Sequence, residues 1–183
     1  MKQHVTMEDV WVPKGADAAP RRFIKPLSFV PMFARGGDTL QRLAAEAKRR
    51  PDDAGAFERL GIAYANSGDH AQAAQALGES VAIDPNRSRA WSALGEAQTR
   101  AAGADQGPIP HAARRSFDRA LALDPEDVRA QFYLALDKDA QGAPELAIDA
   151  WLGLLRVVSL GSGPEEKIRA AILASLNRKM HID

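Results

Sequence analysis

The strongest constraint in this sequence is a spacing. Pro51 and Pro85 stand 34 residues apart, and each separates one helix-like segment from the next. Between them Phe57, Leu60, Gly61 and Tyr64 are followed by Gly68, Ala73, Leu77 and Ser80, and Trp91, Leu94 and Gly95 recur 34 residues after Phe57, Leu60 and Gly61. A period of this length marks a chain built from similar supersecondary units, each stable only when stacked on its neighbours. The residue types fit a pair of antiparallel helices. Leu60 and Tyr64 lie one helical turn apart on a packing face, Gly61 and Ala73 lack bulk where two helices must approach closely, and Gly68-Asp69 supplies the turn.

The order aromatic, Leu-Gly, Tyr, small residue, bulky residue, proline is similar to the tetratricopeptide pattern. In the second unit Ala113, Phe117, Ala120 and Pro125 match the later positions, but Pro85 and Pro125 are 40 residues apart. The additional six residues fall in Ala101 to Pro110, whose Gly103, Gly107, Pro108 and Pro110 are loop formers. The third unit supplies Leu134, Ala135, Gly142, Ala147, Trp151 and Leu154, with Gln131 in place of the first aromatic and Lys138 in place of the tyrosine. Before the array, Thr39 to Arg50 has a helical apolar period, with Asp38 as the expected N-cap and Pro51 as the stop. After it, Glu165 to Lys179 places Ile168, Ala171, Ile172 and Leu176 on one helical face, as a solenoid cap requires. The expected fold is an all-α solenoid of about three helix pairs with a preceding helix and a C-terminal capping helix, over residues 38–183. Residues 1–37, with four prolines and no sustained period, read as an irregular leader in which Trp11 has no assigned role.

Composition narrows the function. Alanine is abundant and aromatics make up 6% of the chain, as close packing of helices through small side chains requires. The charge balances at 24 basic and 24 acidic residues, which argues against a general nucleic-acid binder. The absence of cysteine excludes disulfides, thiol nucleophiles and Cys-ligated zinc. His4, His70, His111 and His181 are scattered, with no metal-binding spacing, and no phosphate-cradling glycine loop is present. The expectation is a non-enzymatic chain with no cofactor and no metal. No uncharged run is long enough to span a bilayer. Arg21-Arg22 followed by a short apolar stretch only faintly resembles an export signal, interrupted as it is by Pro26 and Pro31.

Such arrays bind peptides or helices on a concave face lined by fixed positions of the first helix of each pair. Here those positions hold Gly55, Glu58, Ile62 and Ala65 with Asn66 beside them, then Arg89, Ser92, Glu96 and Thr99, then Arg129, Phe132, Leu136 and Asp139. The candidate peptide-binding groove is Glu58, Ile62, Asn66, Arg89, Glu96, Arg129, Phe132 and Leu136. Its apolar floor and charged rim suit an amphipathic helix or extended peptide. Phe132 and Leu136 equally suit packing against neighbouring helices. Arg59, Ala93 and Tyr133 stand where carboxylate-clamping repeats carry asparagine, so chain-terminus capture of that type is not expected. Trp91 and Trp151 fall at interior positions.

The succession from Pro110-His111-Ala112-Ala113-Arg114 through Arg129-Ala130-Gln131-Phe132-Tyr133-Leu134 to Ala147-Ile148-Asp149-Ala150-Trp151-Leu152-Gly153-Leu154-Leu155 resembles the C-terminal repeat domain of c-type cytochrome biogenesis factors and the related nitrite reductase assembly subunit. The resemblance covers about Leu40 to Ile172. It implies a periplasmic module that holds an apocytochrome segment for the haem-attachment machinery. The larger members of that family carry membrane-spanning segments with no counterpart here; if that and the weak export signal are taken at face value, the alternative location is the cytoplasm. The alternative function is a scaffold or adaptor in an unrelated bacterial complex.

Overall fold

The computed structural model describes residues 34–104 and 108–180. Residues 1–33, most of the expected leader including Trp11, lie outside the described residues. Eight helices follow one another in the order α1 (Ala34–Arg49), α2 (Ala54–Asn66), α3 (His70–Ile83), α4 (Ser88–Ala101), α5 (His111–Leu123), α6 (Val128–Ala140), α7 (Pro144–Leu154) and α8 (Gly163–Met180). Helices α2/α3, α4/α5 and α6/α7 are the three pairs, and α1 and α8 flank them. All eight belong to the unit Met32–Asp183. The all-α repeat solenoid expected from the spacing is the fold observed.

The same local chemistry recurs in each repeat. Gly68, Gly103 and Gly142 follow the first helix of each pair at positive φ (85°, 65° and 84°), where a side chain would strain the backbone. The next residue in each case, Asp69, Ala104 and Ala143, donates its N–H back to Tyr64, Thr99 and Lys138 at 3.0 Å, closing the helix end. Asp53, Asp69 and Asp127 cap α2, α3 and α6 by accepting the N–H of Ala56, Gln72 and Ala130. The Asp-Pro turns between pairs are built alike, Asp84 accepting from Asn86 N–H at 3.1 Å and Asp124 from Glu126 N–H at 3.0 Å. The indole N–H of Trp91 donates to the Pro85 carbonyl at 2.9 Å, and Gln131 Nε2 donates to the Pro125 carbonyl at 2.6 Å. The degenerate position of the third repeat thus keeps the bond while losing the ring.

Close approach inside the pairs rests on the glycines that the repeat predicts. A Cβ on Gly61 would lie 2.6 Å from Leu77 Cγ, and one on Gly95 would lie 2.6 Å from the Phe117 ring. Leu77 and Phe117 are fully buried and have no room to retreat. Ala73, Ala113 and Ala147, the small residues at the matching position of each second helix, are all fully buried. The core runs in consecutive clusters: Ala47, Ala56, Leu60 and Ala76 join α1 to the first pair, Leu77, Val81, Ala90 and Leu94 join α3 to α4, and Phe117, Tyr133, Trp151, Leu154 and Ile168 join α5 through α8. Trp151 is fully buried, whereas Trp91 is half-buried and packs against two of the clusters.

Three expectations are corrected. Helix α1 begins at Ala34, so Asp38 lies inside it and is not its N-cap. Glycines lower helix stability by about 1 kcal/mol each without ending a helix, and Gly36-Gly37 is carried by the apolar face that follows. Helix α8 starts at Gly163 rather than Glu165. Its cover of the solenoid end is partial: Ile168 is 1% exposed, but Leu176 is 41% exposed and Leu173 61%. The helix lies over α6 through Ile168, Ser175 and Arg178, the last two meeting Asp139, which turns Leu173 and Leu176 outward.

Candidate peptide-binding groove

The first helices of the pairs, together with α8, line one face of the solenoid. Two adjoining hollows lie on it, of about 560 Å³ and about 300 Å³. The larger is walled by α4, α6 and the start of α8, with Arg89, Glu96, Val128, Arg129, Phe132 and Lys167 among its residues. The smaller is walled by Ile62, Asn66, His70, Glu96, Arg100, Arg129 and Lys167. Glu96, Arg129 and Lys167 belong to both, so the hollows are two stretches of one groove.

Helix register explains which side chains arrive there. Arg89, Glu96 and Arg100 lie at seven- and four-residue intervals along α4 and so share a face. Arg129 and Phe132 are three apart on α6. Pro164, Lys167 and Ile168 come from the first turns of α8, which the packing of Ile168 into the core holds against α6. Phe132 meets the edge of Tyr133 at 5.3 Å and leans on Trp151 at 6.1 Å between ring centres. It is therefore both a wall of the groove and a lid on the core.

Glu96 is the electrostatic centre. Its carboxylate accepts from Arg100 Nε at 3.2 Å and the Tyr133 hydroxyl at 3.1 Å, and pairs with Arg129, whose Nε lies 2.9 Å away, and with Lys167, whose Nζ lies 3.6 Å away. Burial pushes the Glu96 carboxyl up, but the cations Arg129, Lys167 and Arg100, with the tyrosine bond, outweigh it and hold the group below the usual glutamate value of 4.5. Burial and the neighbouring carboxylate push the Tyr133 phenol well above its ordinary value, so it is a hydrogen-bond donor here and not an acid.

Of the eight residues the sequence nominates, Ile62, Asn66, Arg89, Glu96, Arg129 and Phe132 line the two hollows. Leu136 does not: it is 9% exposed and belongs to the core around Trp151 and Phe117. Glu58 is 8% exposed and is bound by Arg87, whose Nε donates to it at 2.9 Å, and it lines neither hollow. In both cases the repeat position is right while the local packing turns the side chain to a neighbour. Thr99, at an equivalent position, is likewise buried and donates to the Gly95 carbonyl of its own helix, whereas Ser92 donates to the Arg89 carbonyl and lines the larger hollow. Lys167, Arg100 and His70 are groove residues that the position rule omits. Arg100 was findable as the i+4 partner of Glu96, whereas Lys167 comes from a helix with no repeat signature to set its register.

The fold and the groove define an all-α, tetratricopeptide-like repeat protein. Neither a protein-family model nor a curated relative matches this sequence. Similar solved structures include the crystal structure of MamA protein, at 21% identity and TM-score 0.59, over 80% of this chain and 75% of that one. A second crystal structure of MamA matches at 20% identity and TM-score 0.57, over 81% and 91%. MamA 41-end from Desulfovibrio magneticus RS-1 matches at 23% identity and TM-score 0.60, over 80% and 78%. At these identities the likeness is one of fold.

Proposed function

We propose that this chain is a non-enzymatic protein-binding module whose groove receives an amphipathic helical or extended segment of a partner protein. The observation that carries this reading is the groove itself. Val128, Phe132 and Pro164 offer apolar anchorage, while Arg89, Arg129, Lys167 and Glu96 offer charges to fix orientation, within one hollow of about 560 Å³. The finer assignment, an apocytochrome segment held for haem attachment in the periplasm, rests on the sequence resemblance between Leu40 and Ile172. Titration of the purified chain with an apocytochrome and with its C-terminal peptide tests it. Saturable binding that Phe132→Ser weakens supports the assignment. Saturable binding to other amphipathic peptides but to neither of these removes the cytochrome assignment and favours an adaptor of another complex. No helix among the described residues is long and apolar enough to cross a membrane.

A further inference from the structure

The smaller hollow has an uneven charge balance. Arg100, Arg129 and Lys167 line it, and Glu96 is the carboxylate among its lining residues. All three cations converge on that one group, at 3.2, 2.9 and 3.6 Å. Arg129 meets it through Nε, and the planar fork of a guanidinium accommodates a further carboxylate through its Nη groups. His70 stands in the same wall, and its buried Nδ1 makes no hydrogen bond among the described residues. On the far side of the larger hollow Asp124, Glu126 and Asp127 gather, so the groove is positive at the α2 end and acidic at the α6 start.

We propose that the smaller hollow is a seat for an acidic side chain of the bound segment, and that Glu96 is an internal stand-in which occupies the cations until that side chain arrives. The proposal rests on the protein-binding reading and adds the chemistry of the partner: a peptide with a glutamate or aspartate beside its apolar anchor. Glu96 then has a double effect. It keeps three like charges together in the unliganded protein, and it competes with the incoming carboxylate for them.

The competition separates this role from a structural one. Two capped, fluorescently labelled amphipathic peptides serve as probes, one with glutamates on its polar face and the other with glutamine at each of those places. The wild-type chain is expected to bind the acidic peptide about tenfold more tightly than its glutamine counterpart, the preference shrinking at high salt. Glu96→Gln retains an acceptor for Tyr133 and removes the competing charge, so it is expected to widen the preference for the acidic peptide over the glutamine peptide about fivefold. Lys167→Gln, at an exposed side chain, is expected to weaken the acidic peptide more than its glutamine counterpart and so narrow the preference. Equal binding of the two peptides, or a Glu96→Gln chain whose preference for the acidic peptide is no wider, overturns the seat while leaving the groove reading intact. Failure of both peptides to bind overturns both. Binding of phosphatidylglycerol vesicles in place of the acidic peptide overturns the peptide assignment.

Discussion

Asp137 accepts the backbone N–H of Ile109 at 3.0 Å, across 28 residues of sequence. The carboxylate is 1% exposed, also accepts from Gln141 Nε2 at 2.7 Å, and pairs with Arg114. It fastens the end of the inserted loop, residues 102–110, to the third repeat. Ile109 is then buried beside Phe117 and Tyr133, so the insertion is sealed into the core at its end. Asp137→Ala should cost about 3 kcal/mol in urea unfolding, because it strands the buried Ile109 N–H and removes the partner of Gln141 and Arg114. Limited proteolysis should then cut the loop faster. A cost under about 1 kcal/mol would show that the loop is held by Ile109 packing alone.

Gly61→Ala and Gly95→Ala should each destabilise by about 1–3 kcal/mol, since the new methyl would overlap a fully buried Leu77 or Phe117. They lie in different helix pairs, so their costs should add. Gly78→Ala is the control: its position inside α3 has nothing within 4 Å of the new methyl, and it should stabilise by about 0.5–1 kcal/mol. Thermal unfolding of the wild type, the three single variants and the Gly61→Ala/Gly95→Ala double variant checks the set.

Glu96 predicts an acid limb. Its native pKa lies below the unfolded value of 4.5, so the unfolded chain takes up protons first as pH falls through the glutamate range. The stabilisation is complete above that range and is lost as pH drops through the lowered native value. Glu96→Gln should flatten the urea stability profile below about pH 4.5. Asp53, lowered by the Ala56 N–H, and Glu165, lowered by Arg169, keep the remainder of the limb. An unchanged profile would mean that the three cations do not hold the Glu96 carboxylate in solution.

Leu136 and Leu173 give a contrast that sequence hydrophobicity does not. Leu136→Ala should cost about 2–3 kcal/mol as a core deletion, and Leu173→Ala should stay within about 0.5 kcal/mol at its exposed position on α8. Chemical denaturation of both variants measures the difference, and equal costs would reverse the placement of α8.

The repeat fold was legible because its signals are local. Gly68, Ala73, Leu77 and Pro85 each answer a demand of one helix pair, and a fixed period repeats that demand; even the inserted loop declared itself through Gly103, Pro108 and Pro110. Gln131 shows the limit of such reading: it departs from the pattern, yet it makes the carbonyl bond that Trp91 makes in the repeat before it. Six of the eight nominated residues line the two hollows, whereas Leu136 packs into the core and Glu58 pairs with Arg87, because the rule fixes a helix face and not the neighbour that claims the side chain.

The sequence by itself determined the helix pairs and their close-packing residues. Tertiary structure decided what no spacing encodes: that α8 brings Lys167 to Glu96, that Arg87 claims Glu58, and that Asp137 reaches back to Ile109. The physical reason is range. Helix formation and turn chemistry act over a few residues and leave a periodic trace, whereas a polar contact 28 to 71 residues apart depends on how whole helices stack and leaves none.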